Sequence, residues 1–193
     1  MFELLFERLE SQVKFSEEER KIIQSYFKSK KLKRKQFFLQ EGEICNCLAF
    51  IIKGSLYSYS IDSKGTEHVI QFGLEGWWIA DLYSFFTKEP YTLNIEVLED
   101  CELLFIEKIN QDELMKKIPR FEGYYRVLYQ NAYIALQKRI GGTIGLSAEE
   151  KYANLIEQYT PLLNRVPQHL IASYLGITPE TLSRIRKQAA EQH

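Results

Sequence analysis

Residues 168–187 read Gln-His-Leu-Ile-Ala-Ser-Tyr-Leu-Gly-Ile-Thr-Pro-Glu-Thr-Leu-Ser-Arg-Ile-Arg-Lys, and they hold the side chains best suited to reading a nucleic acid. Glu180 and Arg184 lie four apart and so share one helical face. An arginine can pair with guanine through two hydrogen bonds, and a glutamate can accept one from the cytosine amino group. Arg186 and Lys187 suit phosphates, as does Gln168 at the start of the preceding helix. Thr178, Pro179, Thr181 and Ser183 complete the candidate DNA-contacting set.

No comparable constellation for catalysis is present. Cys45, Cys47 and Cys101 are an odd number, and the C-x-C pair has neither a second pair nor a nearby histidine to complete a tetrahedral metal site. They read as reduced thiols in strands. His68, His169 and His193 are scattered. No Gly-rich phosphate loop, Ser-His-Asp order or Cys-His arrangement stands out, so neither an enzyme nor a resident metal or cofactor is expected.

A pair of crossed helices needs a small residue at the crossing, a glycine in the turn and an apolar set that fixes the angle. Ala172, Gly176 and the residues Ile171, Leu175, Ile177, Leu182 and Ile185 meet these needs. Thr178-Pro179 supplies a cap and an N1 proline for the second helix. The segment reads as a helix-turn-helix, and a plain helical hairpin with a solvated charged face is the alternative.

Upstream, Phe2, Leu5, Phe6 and Leu9 sit at helical spacing, and Ser16 with Glu19 forms a capping box for a second helix to about Phe27. From Lys35 to Leu104 the pattern becomes short β-rich stretches: Phe37–Leu39, Leu48–Ile52, Leu56–Ile61, His68–Phe72, Thr92–Leu98 and Leu103–Ile106. Turn signals such as Glu41-Gly42-Glu43, Lys53-Gly54-Ser55 and Asp62-Ser63-Lys64-Gly65 separate them, which indicates a barrel or a double-sheet roll. The stretch Trp78 to Phe86 reads as a helical turn or two inside that roll.

From Pro119 to about Ile140 a helix returns. Phe121, Tyr125, Leu128, Ala132 and Ala135 follow 4-3-4-3 spacing, the seam of a coiled coil, beside a second line of Tyr124, Val127 and Ile134. A helix apolar on two sides must be covered on two sides. One covering is its own roll and the other a second subunit, with Phe121, Tyr125, Leu128, Ala132 and Ala135 as the candidate dimer interface; burial within a monomer is the alternative. Gly141-Gly142 and Gly145 are read as interrupting this helix at a domain hinge. Ser147 and Glu150 cap a further helix with the apolar face Ala148, Tyr152, Leu155, Ile156 and Tyr159, closed by Pro161.

The division expected is a sensor domain at 1–118, a dimerisation helix and hinge at 119–145, and a DNA-binding domain at 146–193. The fold class is α+β: an N-terminal β jelly-roll with flanking helices, a long helix, and a helical C-terminal domain. A formal net charge of -1 argues against a nonspecific nucleic-acid coat, so DNA contact must be local. The run Lys28–Lys35 reads as a solvated strand face. No apolar run is long enough to span a bilayer, and acidic residues stand at the start, so a cytoplasmic protein is expected.

The segment Leu-Gly-Ile-Thr-Pro-Glu-Thr-Leu-Ser-Arg-Ile-Arg at 175–186 closely resembles the recognition segment of short-chain members of the Crp/Fnr superfamily. Gln40-Glu41-Gly42-Glu43, Ile52-Lys53-Gly54 and the overall layout carry the resemblance through most of the chain. It implies a cyclic-nucleotide-binding-like jelly roll, a long dimerisation helix and a winged-helix-like DNA-binding domain. It further implies a homodimer on double-stranded DNA, with RNA polymerase as a further partner. In that resemblance Glu180 and Arg184 occupy base-contacting positions, while Pro179 replaces a more polar residue of some relatives. The short segment 161–166 leaves little room for a β-hairpin before the motif.

The resemblance also bears on the sensor. Cyclic-nucleotide binders carry Gly-Glu-Leu followed by Arg and a small hydroxyl residue; the matching positions here read Ala80-Asp81-Leu82 and Tyr91-Thr92. Without the arginine a buried cyclic phosphate lacks charge-assisted hydrogen bonds, so cyclic AMP is not the expected effector. No cysteine cluster precedes Cys45, unlike the iron–sulfur relatives. Trp78, Asp81, Tyr91, Thr92 and Asn94 either line an effector pocket for a neutral or aromatic small molecule or fill the core. The competing function is a small-molecule module whose C-terminal helices contact a protein.

Overall fold

The computed structural model describes the backbone of residues 1–191, and the side chains of these apart from 158–160, 162, 190 and 191. Contacts divide the chain into two compact units, Met1–Ser58 with Phe72–Gln130, and Tyr59–Gln71 with the chain from Asn131 onward.

In the first unit α1 (Glu3–Glu10) and α2 (Glu17–Tyr26) precede the strands β1 (Lys28–Leu32), β2 (Phe37–Leu39), β3 (Cys47–Lys53) and β4 (Leu56–Ile61). Then come β5 (Glu67–Gly73), β6 (Trp78–Ile79), α3 (Leu82–Thr87), β7 (Asn94–Val97), β8 (Cys101–Glu107) and α4 (Lys108–Lys117). The strands form two four-stranded sheets, ordered β1-β8-β3-β6 and β2-β7-β4-β5. Apart from the β4–β5 hairpin, the strands pair with distant rather than successive ones, which makes the roll, and the fold class is α+β.

The roll's core is built from Leu48, Phe50, Ile51, Leu56, Ile79, Ile95, Leu103, Leu104 and Ile106, all at most 1% exposed. Burying such side chains contributes about 1.5–3 kcal/mol each. At Gly54, φ is +88°, and an added Cβ would lie 2.5 Å from the Asp100 carbonyl oxygen, so only glycine closes this turn. Ser16 accepts from the Glu19 amide while Glu19 accepts from the Ser16 amide, the capping box expected at α2.

The four exposed residues of β1 are Lys28, Ser29, Lys30 and Lys31. Lys28 pairs with Glu107 at 2.6 Å and Lys31 with Glu102 at 2.9 Å, both on β8. The first part of the basic run is thus an edge strand, two of whose three lysines pair with the neighbouring strand.

Three local expectations are corrected. Trp78 and Ile79 are a strand, and the helix of that stretch starts only at Leu82, because the Asp81 carboxylate caps it by accepting from the Ser84 amide at 3.1 Å. The long helix α5 (Arg120–Gly145) runs through Gly141 and Gly142 without interruption. Likewise α6 (Ala148–Leu163) contains Pro161 instead of ending at it. Glycine costs a helix about 1 kcal/mol relative to alanine, which weakens it without ending it.

The second unit holds the outer part of the β4–β5 hairpin, the distal half of α5, then α6, α7 (Gln168–Leu175) and α8 (Pro179–Glu191). Ser147 and Glu150 form the capping box of α6, with bonds of 2.8 and 3.2 Å. Tyr152 and Leu155 are buried beside α7 and α8 as its apolar face requires. Tyr159, assigned to the same face, and His193 lie outside the described side chains.

Candidate nucleic-acid interface

The turn between α7 and α8 follows from one glycine. Gly176 takes φ +67° and ψ +36°, and its amide donates to the Ser173 carbonyl. The next amide, Ile177, reaches back to the Ala172 carbonyl at 3.0 Å, so both bonds of a Schellman ending are made. Thr178 then caps α8 by accepting from the Thr181 amide at 3.2 Å, and Pro179 follows as its first residue. The crossing is held by Ile171, Ala172, Leu182 and Ile185, each at most 4% exposed, with Leu175 at 7%. Residues 164–167 alone join α6 to α7, so no β-hairpin precedes the motif.

These buried positions fix which side chains α8 presents. Thr178, Pro179, Glu180, Ser183, Arg184 and Lys187 are exposed, while Thr181 and Arg186 are half-buried. Gln168 is exposed at the start of α7, which has no side-chain cap. The Glu180 carboxyl is held below the usual range by its own backbone N–H and by the Thr178 hydroxyl. It is therefore an acceptor at neutral pH. Arg184 reaches Glu149 of α6 at 3.2 Å in an exposed ion pair. Such a pair is worth about 0–1 kcal/mol, too little to withhold the guanidinium from a stronger partner. Glu149 had no signal in the sequence, since its role depends on how α6 lies against α8.

The seam read as a dimer interface is corrected. Phe121 and Tyr125 are 0% and 2% exposed within the single chain, and Leu128 packs against the same core. Tyr125 lies 5.9 Å from Trp78, and Phe121 5.7 Å from Phe15, ring to ring. These residues belong to the roll. Ala132 and Ala135 further along are exposed. The large apolar side chains that α5 leaves to solvent are Tyr133, Ile134, Leu136, Ile140 and Ile144, between 47% and 83% exposed. Tyr133, Leu136, Ile140 and Ile144, spaced 3-4-4, form one stripe that the sequence reading passed over.

The five proposed pocket residues differ in their surroundings. Trp78 packs on Phe27, Phe50, Tyr124 and Tyr125 and donates its Nε1–H to the Tyr124 hydroxyl at 2.9 Å. Asn94 is buried and accepts from the Glu41 amide at 3.0 Å. Tyr91 lies against Tyr83 with ring centres 4.7 Å apart, and both it and Thr92 are exposed. Asp81 is 3% exposed; one oxygen caps α3 and Oδ2 has no hydrogen-bond partner. Burial raises its pKa. The core-filling alternative accounts for Trp78, structural hydrogen bonds for Asp81 and Asn94, and the surface for the remaining two.

Among the described residues no group of three His, Cys, Asp or Glu could hold a metal ion, and no helix is long and apolar enough to cross a membrane.

Residues 29–117 match the model of the cyclic nucleotide-binding domain. The regulatory protein HlyX of Actinobacillus pleuropneumoniae is 28% identical over 174 residues, covering 82% of this chain and 70% of its own. An anaerobic regulatory protein of Haemophilus influenzae is 26% identical, with 82% of this chain and 65% of that protein covered. Among solved structures, a putative transcriptional regulator of the crp/fnr family from Eubacterium rectale matches with a TM-score of 0.68 at 18% identity, over 92% of this chain and 85% of that one. The chain therefore carries a cyclic nucleotide-binding-type domain and shares the fold of a crp/fnr-family regulator. Two further regulators share its fold. The global regulator CLP of Xanthomonas campestris has a TM-score of 0.73 at 13% identity, covering 92% and 93% of the two chains. FixK2 of Bradyrhizobium japonicum has a TM-score of 0.73 at 17% identity, covering 86% and 85%. The relatives in sequence are regulatory proteins, and transcription regulation is the activity they support.

Proposed function

We propose that this chain regulates transcription by binding a specific operator as a homodimer, with α8 in the major groove. The observation that carries the reading is the face of α8: Glu180, Ser183, Arg184 and Lys187 stand exposed over a crossing whose residues Ile171, Ala172, Leu175, Leu182 and Ile185 are buried. Glu180 and Arg184 read base edges. Lys187, Arg186 and the uncapped start of α7 at Gln168 hold phosphates.

The partner subunit meets α5 through Tyr133, Leu136, Ile140 and Ile144. The stripe's exposure and its helical spacing support this, and so does the family's regulatory role. Two copies so joined set their recognition helices in successive major grooves, about 34 Å apart on a palindromic site. Cyclic AMP is not the effector. Tyr91 stands where the cyclic-nucleotide binders carry an arginine, so a buried cyclic phosphate would lack its charge-assisted hydrogen bonds.

A gel-shift salt series on DNA fragments selected by the protein tests the reading. Affinity falls steeply with salt as several phosphates are neutralised, and Lys187→Ala lowers the slope by about 1. Arg184→Ala weakens operator binding by about 1–3 kcal/mol and relaxes the preference at one base pair. Enrichment of no sequence, with a protein captured by residues 168–187 instead, would establish the competing reading of a protein-contacting module.

A further inference from the structure

Strand β5 is the edge of its sheet, and within the second unit its free edge is occupied by the first helix of the motif and by α5. The Ser173 hydroxyl accepts from the Val69 amide at 3.0 Å and donates to the Glu67 carbonyl at 2.7 Å, as a neighbouring strand would. Arg139 donates to the Val69 carbonyl at 2.7 Å and to the Ile70 carbonyl. Its guanidinium lies over the Tyr174 ring, 4.4 Å from the centre. One half-buried arginine therefore joins α5, β5 and α7.

The chemistry of this joint suits a part that must release. Among the described residues no carboxylate pairs with Arg139, and burial lowers its pKa. Its guanidinium is held by carbonyl oxygens and a ring, with no fixed anion among the described residues to retain it. Water satisfies the Val69, Ile70 and Glu67 groups equally well once the edge opens.

We propose that the β4–β5 hairpin and α7 move as one element, joined by Arg139 and Ser173, so that a displacement of the hairpin is passed to the recognition helix across this joint. The route differs from a hinge in α5, which is a continuous helix through its glycines. At the far end of the hairpin Asp62 accepts from the Lys64 and Thr66 amides at 2.8 and 2.9 Å and meets His68 at 2.9 Å, which sets the turn. That turn is the handle by which the joint can be probed.

Hydrogen exchange on the full chain without DNA is the test, so its outcome is separate from that of the operator reading. Ser173→Ala raises exchange of the Val69 amide about fivefold, the change that loss of one hydrogen bond produces. Asp62→Ala loosens the turn and raises exchange across 170–177 severalfold in the native background. In Ser173→Ala, and in Arg139→Lys, which keeps the charge but loses the two-carbonyl fork, the same Asp62→Ala change leaves 170–177 within twofold. An unchanged Val69 amide in Ser173→Ala overturns the proposal. So does an Asp62→Ala effect on 170–177 that is nil in the native background, or equally large with and without the joint.

Discussion

Replacing Gly176 by alanine isolates the backbone conformation on which the motif turns. A Cβ there would meet nothing within 4 Å, so no clash contributes. What remains is the cost of a left-handed residue, about 1–2 kcal/mol for an L-amino acid. A loss of about 0.4–1 kcal/mol in unfolded-chain freedom offsets part of it. The net destabilisation is about 1 kcal/mol. For a unit of this size that lowers the midpoint by about 4–8 °C, followed by far-ultraviolet circular dichroism. Asparagine tolerates the left-handed region, so Gly176→Asn should fall less. A domain with several kcal/mol of stability stays folded after either change, and operator affinity shifts by no more than about twofold. An alanine variant as stable as the parent, or asparagine falling as far as alanine, would refute the argument that φ at Gly176 fixes α7 against α8.

Three further outcomes follow from the side chains. Leu136→Asp with Ile140→Asp should abolish the proposed dimer in sedimentation without lowering monomer stability, whereas Phe121→Ala should cost about 3–5 kcal/mol of stability by leaving a cavity; the reverse result would return the proposed interface to the other face. The Asp62 carboxyl is lowered to about 2, first by His68 and then by the Thr66 and Lys64 amides. Because its folded pKa is depressed, its contribution is complete above the unfolded value of about 3.9 and is lost as pH falls toward 2. Denaturant unfolding of Asp62→Asn should therefore be less pH-sensitive between those limits than the parent, and equal sensitivity would count against the turn. Burial pushes the Cys47 thiol up to about 12, so native protein should be alkylated there on the order of a thousandfold more slowly than a free thiol, as read by mass spectrometry.

Features set by local chemistry were legible in the sequence. Both capping boxes, the glycine turn and the α8 cap depend on residues within five positions of one another. The buried residues of α7 and α8 follow from a 3.6-residue period on short helices. Features set by packing were not. The period that marked Phe121, Tyr125 and Leu128 is the same for a helix facing its own roll as for one facing a second chain. Extending that 4-3-4-3 series from Ala135 by four lands on Arg139, a cation on an otherwise apolar line, and this was the one available sign of the β5 joint. Helix α4 escaped notice because Gln111 takes a buried place on it, and β6 because two residues show no period. The pocket set mixes buried and exposed residues, since neighbouring residues on a strand and its turn point to different sides.

Trp77 and Trp78 are the chain's two tryptophans, and both belong to the first unit. Indole emission is consequently blind to the unit that carries α7 and α8. An optical titration would register events around the Phe27, Phe50 and Tyr124 rings in the colour of Trp78. It would pass silently over melting of α7 and α8, which makes the difference between the emission and dichroism curves a direct measure of how independently the two halves come apart.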